Sequence, residues 1–114
     1  MRYMLMICTD ESYSPSPAEI RADAGFMGWV DELETRGVMR GGERLRPSGD
    51  ATTVRVRNDE VLTSDGPFAE TKEIVGGFNI IDCADLDEAI ELAAKHPAAH
   101  YGAVEVRPIW ELES

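Results

Sequence analysis

Residues 1–8 place the strongest constraint on the fold, because they form a strand without polar alternation. Tyr3, Leu5 and Ile7 point one way, and Met4, Met6 and Cys8 point the other. A strand that is apolar on both faces has to be covered on both. Helices of the same domain can cover one side, and a second subunit is the simplest cover for the other. Residues 74–83 make another strand of this kind, hinged at Gly76-Gly77. At 114 residues the chain is expected to be one domain, residues 1–114. A domain of that size buries only about two-thirds of its unfolded surface, so association with a second copy adds burial it otherwise lacks.

The elements between these strands follow from local signals. Ser16-Pro17-Ala18-Glu19 has the spacing of a capping box, with Pro at the first helical position. It opens a helix expected over residues 18–36, which stops at Gly37. Ile20, Ala24, Phe26, Met27, Val30 and Leu33 form its apolar stripe, and Trp29 lies at the margin. Residues 38–45 read as a strand in which Gly41-Gly42 marks a bulge or the close approach of a ligand or of backbone. Residues 52–57 and 60–64 flank Asn58-Asp59 as a β-hairpin, half exposed because Val54 and Val56 alternate with Arg55 and Arg57. Asp85 caps a second helix running to about Lys95, with Leu86, Ala89, Ile90 and Ala93 expected inward. Lys95 and His96 suit the negative end of its dipole, and Pro97 ends it. Residues 104–112 form the last strand, with Val104, Val106 and Trp110 on one face. Pro108 makes this an edge strand or a bulged one. The order β-α-β-(hairpin)-β-α-β is the α+β, ferredoxin-like plan with an antiparallel sheet, in which the first and third sheet strands are central.

Twenty-two acidic against 11 basic residues give a formal net charge of -11. A field of that sign repels phosphate backbones and anionic lipid, so no nucleic acid and no membrane is expected as a partner. The apolar run at residues 3–8 is too short for a signal or membrane segment. Cys8 and Cys83 sit in apolar strands and read as reduced thiols of a cytoplasmic protein. Without CxxC, HxH or HExxH, neither a metal nor a cofactor is expected.

The segment Thr63-Ser-Asp-Gly-Pro-Phe-Ala-Glu-Thr-Lys-Glu73, followed by Gly76-Gly77-Phe78, resembles the signature of the DGPF or YCII-related family. Asp85-Leu-Asp-Glu-Ala89 and Val104-Glu-Val-Arg-Pro-Ile109 extend the resemblance over nearly the whole chain. It implies a dimeric α+β barrel made of two ferredoxin-like sheets, with small organic molecules handled under the sheet. It also implies a genetic association with alternative sigma factors. The His–Asp pair proposed as the active site of YCII relatives places its His on the first helix. Residues 18–36 contain no histidine, so that pair does not transfer here.

The remaining polar groups each have a functional and a structural reading. Asp65 is a candidate catalytic carboxylate or a turn cap. His100, in a loop and titrating near neutrality, is a candidate for proton transfer or a bystander. Arg107 and Lys72 are candidates for holding the carboxylate of a small organic acid, or are ion-paired to Glu105 and Glu73. Glu70 lines a cleft mouth or lies on an exposed segment. Asn79, alone among apolar neighbours, is a structural hydrogen-bonder or a cavity-lining group. Two functions follow. One is a small-molecule enzyme of lyase or isomerase type in a cavity of a homodimer. The other is a non-catalytic ligand-binding or regulatory dimer linked to a sigma-factor or stress response.

Overall fold

The computed structural model describes residues 1–68 and 72–112. Its elements in order are β1 (Arg2–Asp10), α1 (Pro17–Ala22), α2 (Ala24–Thr35), β2 (Met39–Arg44), β3 (Thr52–Arg57), β4 (Glu60–Asp65), β5 (Glu73–Asp82), α3 (Leu86–Ala94) and β6 (Ala103–Pro108). Four strands form one antiparallel sheet in the order β2-β5-β1-β6, and β3-β4 stand apart as a two-stranded sheet. The two strands that are apolar on both faces are therefore the central ones, as their composition demands. The fold is α+β and ferredoxin-like, with the hairpin as an insertion.

One face of the sheet carries the helices. Tyr3, Leu5 and Ile81 are buried there against Trp29, Leu33, Ala89, Leu92 and Ala93. The other face holds the rows Met4–Ile80, Met6–Phe78 and Cys8–Val75. Ile81 lies in the core at 0% exposure, and its neighbour Ile80 belongs to the second face. The molecule measures 48 × 42 × 20 Å, so its short axis accommodates one sheet and one helical layer.

The helix expected over residues 18–36 is two helices. Asp23 adopts an extended backbone, φ -77° and ψ 101°, and its side chain accepts the Phe26 N–H at 3.0 Å. Its own N–H closes α1 on the Ile20 carbonyl. A residue that competes for the backbone in this way ends one helix and starts the next. α1 keeps its capping box, Ser16 Oγ accepting the Glu19 N–H and Glu19 Oε1 accepting the Ser16 N–H. Trp29 is core rather than margin, at 3% exposure, whereas Met27 lies outside the core at 43%. α3 also differs from expectation. Its inward seam is Ala89, Leu92 and Ala93, which leaves Leu86 and Ile90 on its flanks, both about half exposed.

Irregularities sit where the glycine pairs are. β2 has a bulge between Met39 and Gly41 against β5, and β1 has one between Ile7 and Cys8 opposite Gly76. Asn58 and Asp59 both have positive φ, which gives the two-residue turn that matches strand twist. Gly66 has φ +95°, and Thr53 Oγ1 and the Ala51 carbonyl bind its main chain at the hairpin base. Among the described residues no hydrogen bond to the Asp65 side chain caps the turn. It ends β4 opposite Thr52, and its carboxylate is exposed. β6 pairs only with β1 and stops at Pro108, so Trp110, expected on the strand, is 88% exposed beyond it.

Candidate functional site

The core fills only one end of the space between helices and sheet. Toward the other end, Gly42 and Gly77 of adjacent strands line the remaining space. Gly42 is required there, because a Cβ would meet Asn79 Nδ2 at 2.4 Å and the Phe78 carbonyl at 2.6 Å. α1, set at its own angle by the break at Asp23, has no buried residue. The result is a cavity of about 530 Å³, floored by Ile7, Thr9, Gly77 and Asn79 and walled by Phe26, Met27 and Val30. Its polar groups include Asp23, Asn79, Arg44, His96, Tyr13 and Tyr101. A largely apolar concavity with a few convergent polar groups is the usual form of a small-molecule site.

His96 is the best-defined of these groups. It follows α3 and precedes Pro97, which opens the tight turn Pro97–His100. Its Nδ1 accepts the Ala98 N–H at 2.9 Å. The ring packs edge-on against Trp29 at 4.6 Å and Phe26 at 5.8 Å. At 5% exposure, burial pushes its pKa down from 6.5 to about 4, against the opposing charge of Asp23. The histidine expected to serve the helix dipole as a cation is thus a neutral ring in the core edge. Among the described residues Nε2 has no hydrogen-bond partner, yet no buried side-chain nitrogen or oxygen lacks one. Nε2 is therefore not sealed in the core, and His96 is one of the residues that line the cavity.

Tyr101 and Tyr13 face one another with ring centroids 4.9 Å apart. Burial, followed by a hydrogen bond with Tyr13, raises the pKa of Tyr101, so its phenol stays protonated at neutral pH. Asn79 donates to Met39 Sδ at 3.8 Å and lines the cavity, which answers both readings of it. Arg44 donates to the Pro15 carbonyl and holds the β1–α1 connection over the opening. Both thiols have pKa values raised by burial first, and neither Cys8 nor Cys83 lines the cavity.

The residues singled out from sequence lie elsewhere. Asp65, Lys72, His100 and Arg107 do not line the cavity. Arg107, opposite Met4, belongs to the helix-free face and pairs with Glu105 at 2.6 Å. His100 is exposed at the end of its turn. Lys72 is exposed just before β5, near enough for its charge to help hold the Asp10 carboxyl below the usual range, behind two larger contributions from Ser12. Glu70 lies outside the described residues. The residues missed were Asp23, His96 and Tyr101. The signal for the first was an Asp three residues before Phe26, inside an otherwise helical pattern. For the second it was a His directly before Pro.

Fold and cavity together define a small α+β protein with a helix–sheet pocket. The chain belongs to the YCII-related domain family, which it matches over residues 1–113. An uncharacterised protein of Rhizobium meliloti (strain 1021) is 48% identical over 68 residues, which is 58% of this chain. The chain spans about half the length of that curated relative, 55%. Among solved structures, the chain is similar to 5-chloro-2-hydroxyhydroquinone dehydrochlorinase from Burkholderia phenoliruptrix, in complex with 2,5-dihydroxybenzoquinone. That likeness has a TM-score of 0.49 at 18% identity and covers 97% of this chain and 94% of the other.

Proposed function

We propose that this protein is a small-molecule enzyme of lyase or isomerase type, working in the helix–sheet cavity of a homodimer in the cytoplasm. The observation that carries this reading is the roughly 530 Å³ cavity with the buried His96 ring opening onto it. Carboxylates and imidazoles are common groups for proton transfer, and Asp23 and His96, whose charges interact, both line the cavity. Asp23 then takes the role first assigned to Asp65 and His100. Arg44 lines this cavity, where Arg107 and Lys72 do not. The homodimer is supported by the helix-free face, where Met4, Met6, Cys8, Phe78 and Ile80 are only half buried in the single chain. Two such faces stacked make the dimeric α+β barrel.

A regulatory, purely ligand-binding dimer is favoured over catalysis by one observation, the pairing of Arg107 with Glu105 on the open surface. A cavity with a strongly perturbed histidine weighs more heavily for an enzyme. A thermal-shift screen with small aromatic acids and carbonyl compounds tests the assignment. Compounds that stabilise the wild type and fail to stabilise Met27→Trp, which fills the cavity from its wall, support it. Equal stabilisation of both proteins removes the cavity from consideration.

A further inference from the structure

The chemistry of His96 narrows what the cavity can take. For Nδ1 to accept the Ala98 N–H, that nitrogen carries no proton, and the neutral ring then carries its single proton on Nε2. His96 lines the cavity and Nε2 is its one ring nitrogen without a partner among the described residues, so a ligand that reaches the ring there meets a donor and not a free imidazole lone pair. Using His96 as a base would require breaking its bond to Ala98. Burial keeps the ring neutral at physiological pH, and the packing of Trp29 and Phe26 holds its plane. The group opposite Nε2–H must be an acceptor. Asp23, whose charge acts on the same ring, repels a carboxylate there and leaves a neutral oxygen as the better occupant.

Building on the assignment of this cavity as the ligand site, we propose that it binds a neutral carbonyl compound. His96 Nε2–H donates to the carbonyl oxygen, and an apolar ring-sized body lies against Phe26, Met27 and Val30. In an enzyme, a fixed donor of this kind polarises the carbonyl and stabilises the enolate formed when a neighbouring C–H loses its proton. Of the carboxylates that line the cavity, Asp23 is the one whose charge acts on the His96 ring, so it is the group assigned to take that proton, through the oxygen that does not cap Phe26. The electron pair of the C–H bond moves into the enolate, and return of the proton to another position restores a neutral product.

Three probes of one size test this, acetophenone, ethylbenzene and benzoate, titrated into protein carrying nitrogen-labelled histidine. Acetophenone is expected to move the His96 Nε2–H resonance and to bind on the order of tenfold more tightly than ethylbenzene, the worth of one good hydrogen bond. In His96→Asn the amide oxygen can keep the Ala98 N–H capped while the ring donor is gone, so this variant should fold and bind the two probes alike. Acetophenone that shifts Asn79 and Tyr101 but leaves His96 unmoved overturns the carbonyl inference and leaves the cavity assignment standing. A preference for benzoate at His96, or a proton found on Nδ1, has the same consequence. If no probe shifts any cavity residue, the inference and the cavity assignment fall together.

Discussion

Trp29 donates its indole N–H to the main-chain carbonyl of Leu92 at 2.9 Å, tying α2 to α3 across the core. The same ring lies 4.6 Å from His96, so the bond that joins the helices also fixes the wall of the cavity. Trp29→Phe keeps an aromatic surface and deletes the donor. It is expected to lower stability by about 2 kcal/mol, combining the lost bond with a small void. Denaturant unfolding checks this, and a loss below a few tenths would show that the bond is not holding the helices.

His96 makes stability depend on pH in a defined window. The unfolded ring takes up a proton near pH 6.5, while the folded ring does so only near pH 4. Between these values the unfolded state binds more protons, so stability is complete above pH 6.5 and falls as pH drops toward 4. Unfolding midpoints of the wild type and His96→Asn should diverge at pH 7 and converge toward pH 5. Parallel curves would mean that His96 takes up its proton as readily in the folded protein as in the unfolded chain.

Two glycines should respond oppositely to alanine. Gly42→Ala drives a methyl into Asn79 and the Phe78 carbonyl and should cost on the order of 1–3 kcal/mol. Gly28, within α2, has nothing within 4 Å of its missing Cβ, so Gly28→Ala should stabilise by about 0.5–1 kcal/mol. Thermal melts of both variants check the pair.

The helix-free sheet face should close by dimerisation. Met6, opposite Phe78, sits in the middle of that face. Met6→Lys places a charge there and should convert a light-scattering dimer into a monomer without unfolding it. A wild type already monomeric at micromolar concentration would contradict the dimer.

The topology was legible in the sequence because strands apolar on both faces can occupy only the middle of a sheet, and β1 and β5 do. The two-residue hairpin and the caps at Ser16 and Asp85 were legible for a similar reason, since each is a local bond between near neighbours. The break at Asp23 was not, because Ile20, Phe26 and Leu33 keep helical spacing straight through it. The site was hidden more thoroughly. It is assembled from β1, β2, β5, α2 and the turn at His96, which lie far apart along the chain. Sequence gave His96 a place after a helix, where a cation is favoured. Only packing against Trp29 and Phe26 shows that the ring is buried and neutral.

Mapping backbone amide shifts during titration with the strongest stabilising compound tests the account most directly. The cavity assignment predicts that the shifts gather at Asp23, Phe26, Asn79, His96 and Tyr101. Shifts gathered instead at Lys72, His100 and Arg107, with the cavity residues unmoved, would contradict it.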